Sequence, residues 1–204
     1  METPAGIPTS DDALIPQLRQ IHDRVVVAKQ DVIQIVTMLP DDQARKRLEP
    51  EDWSVLDCID HLCVTGRKIL PRIDAAAADA RKKGRLSPGP FRYGPLGNWF
   101  VRVNGPGDYP PKKKYKAPKV YRPAREWPLD ELVRSFTHLQ DDLLRRVRDV
   151  NGIDLARVKI ASPAAWWLRL SLGQWLELIA GHQERHLLQA RDIRKAVQDA
   201  ASGE

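Results

Sequence analysis

Four stretches of this chain repeat apolar residues at the helical period, and a single long break separates the second from the third. That arrangement limits the fold more than any one residue does. In residues 11–39, Leu14, Leu18, Ile21, Val25, Val32, Ile35, Val36 and Leu39 fall on or near one stripe. Asp11 and Asp12 stand near its N-terminus, where the helix dipole favours acid, and Pro16 lies where a first-turn proline is tolerated. A second helix is predicted over 54–83, with Ser54 as N-cap and Asp57 three residues on completing a capping-box variant. Pro71 inside that run predicts a kink near Ile69 to Arg72, the Ala-rich stretch continuing beyond it. The third helix is predicted over 129–150, with Leu132, Phe136, Leu139, Leu143 and Val147 inward and a stop at Asn151-Gly152. The fourth is predicted over 171–200.

Between the second and third helices, residues 84–128 lose their periodicity and become dense in Gly and Pro. They read as a long irregular crossover, packed over the body through Phe91, Tyr93, Trp99, Phe100 and Tyr115. Residues 153–170 read as a loop on one end of the bundle, with Trp166, Trp167 and Trp175 as core and end packing, and no strand alternation is visible. The expectation is an all-α four-helix bundle whose second and third helices run parallel, since only a long crossover permits that. At 42% hydrophobic, 204 residues suit one well-buried domain spanning 1–204.

Residues 1 to 12 include Glu2, Asp11 and Asp12 and no apolar core of a signal peptide. No apolar run approaches the roughly 20 residues of a membrane span, so a cytoplasmic protein without a membrane partner is expected. Cys58 and Cys63 lie five apart on one predicted helix, where a disulfide cannot form; they read as inert, reduced packing residues. The net charge of +6 is concentrated: 13 Lys or Arg fall between Arg81 and Trp127 against Asp108 and Glu126. The remainder of the chain is therefore net acidic.

Within the fourth helix, Leu172, Trp175, Leu176 and Ile179 recur at the helical period, and His182 and His186 continue the same stripe. Imidazoles spaced by four converge in front of a helix, as a divalent metal requires of such a pair. A third ligand must come from elsewhere, and His61 of the second helix is the best candidate. Three neutral imidazoles would leave a position open for water or substrate. Glu184 lies between the pair in sequence but points about 200° around the helix from either, unlike a zincin glutamate. Asp57, one turn before His61, could orient that ligand, and Gln183 and Gln189 could touch the cavity edge. His22 and His138 have no partner at ligand spacing and read as surface or boundary residues.

Several separated motifs carry a resemblance. They are Trp53-Ser54 with His61 seven residues after the serine, the segment Lys116-Ala117-Pro118-Lys119-Val120-Tyr121-Arg122-Pro123, and Ser171-Leu172-Gly173-Gln174-Trp175 leading into His182 and His186. In this order they resemble the DinB/YfiT-like family of metal-dependent enzymes. The resemblance implies an up-down-down-up bundle holding a divalent ion, commonly zinc or nickel. Carried onto this chain, the metal ligands are His61, His182 and His186. It also implies thiol-dependent transfer onto a small electrophile, with a low-molecular-weight thiol as cosubstrate, or metal-assisted hydrolysis.

Two readings from other classes stand beside it. Lys112, Lys113, Lys114, Lys116 and Lys119, interleaved with Tyr109, Tyr115 and Tyr121, have the composition of a phosphate-contacting, base-stacking surface. The basic crossover 81–127 would then serve a non-enzymatic nucleic-acid or anionic-surface binding module, although no recognition fold accompanies it and a solvated loop is the simpler reading. Alternatively the metal site is vestigial and the apolar faces of helices one and four form a homodimer.

Overall fold

A computed structural model describes residues 14–110, 116–123 and 126–202. Among them lie six α-helices and one two-stranded sheet: α1 Pro16–Val36, α2 Asp41–Arg45, α3 Val55–Lys82, α4 Pro95–Asn104, α5 Leu129–Asp149, β1 Lys159–Ala161, β2 Arg169–Ser171 and α6 Leu172–Ser202. The chain is predominantly helical, as expected. The four long helices match the four sequence stripes, with α1 and α3 each packing against both α5 and α6.

Local signals set the boundaries. Pro16 occupies the first turn of α1, and after Val36 the backbone turns through Met38, whose φ is 56°. The acidic start proposed at Asp11 and Asp12 lies outside the described residues. Ser54 caps α3 with the predicted reciprocal box: its Oγ accepts from the Asp57 N–H, and Asp57 Oδ2 accepts from the Ser54 N–H at 2.9 Å. α3 continues through Pro71 without interruption, the proline lying on an exposed face. A second reciprocal box opens α6, where Ser171 N–H donates to Gln174 Oε1 and Gln174 N–H to Ser171 Oγ. α5 gives way to Asn151 and Gly152, the glycine adopting φ 84°.

Two expectations are corrected. The connection 84–128 is not irregular throughout, because it contains α4, two 3₁₀ turns at Pro106–Asp108 and Lys119–Tyr121, and α4 packs along α6. No residue of α4 is fully buried; only a flank with Phe100 and Val101 meets the core, and the short helix lies among Gly and Pro that mask it in the sequence. Gly97 and Gly173 permit the close approach: a Cβ on Gly97 would fall 2.2 Å from Gln174 Nε2, and one on Gly173 would fall 2.0 Å from Tyr93 Oη. The second correction concerns 153–170, most of which, from Lys159 onward, belongs with Ser171 to a hairpin pairing Lys159 with Ser171 and Ala161 with Arg169. Trp175 is buried and donates to Ile160 O at 3.0 Å, but Trp166 and Trp167 are 82% and 70% exposed. They sit inside the turn that Leu168 N–H closes onto Ala165 O, so they protrude instead of packing.

The core divides into two apolar clusters. α1 passes from the first, at Leu18, Ile21 and Val25, to the second, at Val32 and Ile35; α6 runs the same way, from Leu172–Ala180 to Leu187–Val197. α3 and α5 traverse them in the opposite order, from Ile59 and Phe136 to Ile73 and Val147. At the junction stand two buried glutamines, with Gln183 Nε2 donating to Gln140 Oε1 at 2.9 Å. The other halves of both amides, Gln140 Nε2 and Gln183 Oε1, have no hydrogen-bond partner among the described residues.

Replacing one glutamine strands the other amide, whereas replacing both removes the buried polar group. Gln140→Leu and Gln183→Leu alone should each destabilise by about 1–3 kcal/mol, and the double variant should regain most of the loss. Urea midpoints of the four proteins check this; strictly additive losses would contradict the pairing.

Candidate metal centre

His61 sits in the second turn of α3, and His182 and His186 sit one turn apart near the middle of α6. Packing of α3 on α6 brings one ring nitrogen from each within 4.8 Å of the others. The rings meet edge-on, their centroids 4.5 Å (His182–His186), 4.6 Å (His61–His186) and 5.1 Å (His61–His182) apart. Trp53, just before the α3 cap, leans over His61 at 4.8 Å and His186 at 5.5 Å. The three histidines marked in the sequence therefore converge.

Hydrogen bonds fix how these rings present themselves. His61 Nδ1 lies 2.5 Å from Tyr121 O, and His182 Nδ1 lies 3.3 Å from Asn104 O. A carbonyl only accepts, so both Nδ1 atoms carry the hydrogen and both Nε2 atoms of the neutral rings are bare acceptors. These Nε2 atoms face each other at 2.9 Å. Two lone pairs at that distance repel unless a cation or proton lies between them. His186 Nδ1 is held by Gln189 Oε1 at 3.0 Å. A proton is a poor occupant, because burial lowers the basicity of all three rings. His182 falls to about 3, by desolvation first and by the neighbouring His61 second. His186 drops well below its usual range through desolvation and both other rings, and His61 is lowered by burial although its bond to Tyr121 opposes the shift. The donor set fits a divalent cation: three neutral nitrogens, each with its second nitrogen anchored.

The surrounding groups take other roles than some expected. Asp57 does not orient His61; it closes the α3 capping box and pairs with Arg47 at 2.9 Å. Glu184 faces away, as its helical phase requires, and binds Arg24 of α1 at 2.6 and 2.8 Å. Gln189 reaches the site, whereas Gln183 turns into the core toward Gln140. Cys58 and Cys63 are unpaired and buried, and burial pushes both thiols far up, Cys63 to about 12. His22 is buried against Asp23 and Arg148, not at this cluster.

Sequence reasoning missed the carbonyls of Asn104 and Tyr121, since a backbone acceptor leaves no residue signature. Pro95 and Gly105 flanking a ten-residue helix were the available signal for α4. Of the basic run, Lys112–Lys114 and Tyr115 lie outside the described residues, and Lys116 makes an exposed ion pair with Glu51 at 3.3 Å.

Residues 24–190 match the model of the DinB superfamily, and the chain belongs to that superfamily. It is similar to the uncharacterized protein YuaE of Bacillus subtilis (strain 168), with 25% identity over 166 residues, covering 79% of this chain and 90% of that protein. No solved structure matches. No described helix is long and apolar enough to cross a membrane.

Buried neutral histidines also set a pH dependence for the metal-free fold. The unfolded chain takes up protons on these rings near pH 6.5 while the folded protein resists them, so stability falls as pH drops from about 7 toward 4. Urea midpoints of chelator-treated protein at pH 7 and pH 5 should show the loss, and a triple His→Gln variant should show less of it. Glu184→Gln, by contrast, should leave metal uptake unchanged.

Proposed function

We propose that this chain is a divalent-metal-dependent enzyme in which His61, His182 and His186 hold zinc or nickel. The facing Nε2 atoms of His61 and His182, 2.9 Å apart and both bare, carry this reading. It is a single domain over 1–204, and the opposite traversal of the two core clusters by α1/α6 and α3/α5 supports an up-down-down-up bundle. When bound, such an ion keeps its full charge, offers an open position and activates a water or thiol as a Lewis acid would.

The rest falls to the chain's own residues. Tyr121 O and Asn104 O keep the His61 and His182 rings in the tautomer that points Nε2 inward, and Trp53 covers one side of the cluster. Of the carboxylates near the ligands in sequence, Asp60 accepts from Trp127 Nε1 at 2.9 Å, and Glu184 and Asp57 are engaged by Arg24 and Arg47, so each is already committed to another partner. A thiol loses its proton at such an ion more readily than water does and needs no further proton acceptor, whereas hydrolysis gains from a general acid or base to assist the leaving group. The reading supported best is therefore S-transfer from a low-molecular-weight thiol onto a small electrophile, with metal-assisted hydrolysis second. A thiol cosubstrate agrees with a cytoplasmic protein holding two unpaired cysteines.

Elemental analysis of dialysed protein tests the site. Wild type should retain close to one equivalent of zinc or nickel, and His182→Ala/His186→Ala should retain none. A wild type that neither retains nor takes up either metal would end the enzyme reading. Metal-loaded wild type should consume a thiol in the presence of small electrophiles, and the double variant should not.

A further inference from the structure

The two carbonyls that fix the ligand tautomers belong to one segment. Asn104 closes α4 and Tyr121 ends the second 3₁₀ turn, both within 84–128, yet they reach histidines on different helices. The last carbonyls of a helix lack intrahelical partners and form its negative pole. Here α6 supplies the missing donors: His182 meets Asn104 O, and Arg185 Nη1 donates to Val103 O at 3.0 Å and Gly105 O at 3.4 Å. The same segment is tied to the ligand-bearing helices elsewhere. Gln174 Nε2 donates to Gly94 O at 3.1 Å, the Tyr109 hydroxyl to Asp192 at 2.5 Å, and Trp127 Nε1 to Asp60, beside His61, at 2.9 Å.

We propose that the described parts of this connection, 84–110, 116–123 and 126–128, are the outer layer of the metal centre, so that metal binding and their seating form one linked equilibrium. The inference rests on the metal reading above. Asn104 and Tyr121 position His182 and His61 through their carbonyls, and Arg185 is a positioning residue that anchors the chain on either side of Asn104 through the Val103 and Gly105 carbonyls. A ligand imidazole gains basicity when its second nitrogen donates to an anchored acceptor, so the seated segment strengthens the site. By reciprocity, the ion must stabilise the seated segment by the same factor.

Two measurements on the full chain test this, with zinc as the probe. Backbone hydrogen exchange is followed in chelator-treated wild type and after one equivalent of zinc, and zinc affinity is measured by competition with a chromophoric chelator. Zinc should slow exchange at least about tenfold in peptides covering 95–110 and 116–123, and change it little in 143–150. Arg185→Leu should weaken zinc binding by about 10–100-fold, and Arg185→Lys, which can still donate to the carbonyls, should recover part of that loss. Stoichiometric zinc binding by wild type with unchanged exchange in both peptides would overturn the linkage while leaving the metal reading intact. Absence of zinc binding by wild type would overturn the metal reading and the linkage with it.

Discussion

Two carbonyl oxygens decide what the centre of this protein can be. Because Tyr121 O and Asn104 O accept from Nδ1 of His61 and His182, the opposite nitrogens are left as bare acceptors facing each other at 2.9 Å. Burial removes the simplest remedy, a proton, by making imidazolium costly. Much of the surrounding architecture serves that arrangement. The α3 capping box fixes the start of the helix carrying His61, Trp53 closes over the rings, and α4 brings its C-terminal pole against α6.

The long helices were legible because each buries a stripe against two neighbours, which imprints a strong period on the sequence. Ser54 and Asp57 announced the start of α3 because a capping box is local chemistry, independent of tertiary context. α4 was illegible because of its shortness and its surroundings. It lies on the outside of α6, buries no residue fully, and sits amid Gly and Pro that dominate any window through it. The hairpin was hidden by its size, since strands of three residues show no alternation. Trp166 and Trp167 misled because large aromatics usually signal core, and here they occupy the corner of a turn.

At the centre, side-chain ligands could be read and backbone partners could not. His182 and His186 were marked by spacing and by replacing apolar residues on a stripe. His61 was found as the third member of the set, and the structure brings it to the other two. Asp57 was a reasonable candidate to orient His61, because a carboxylate one turn away is the usual side-chain solution. The chain uses a carbonyl some sixty residues downstream instead, which no local pattern encodes.

The Gln140–Gln183 pair carries a consequence for how the helices are aligned. Gln183 directly follows His182 on α6, and its partner comes from α5, at the seam between the two apolar clusters. Apolar contacts are non-directional, so area burial alone discriminates less sharply than a hydrogen bond against a one-turn slip of α6, about 5.4 Å. The hydrogen bond between the two side-chain amides makes such a slip expensive, since breaking it leaves two more buried polar atoms unmatched. The pair thus works as a register pin, helping to hold the two histidines of α6 level with His61.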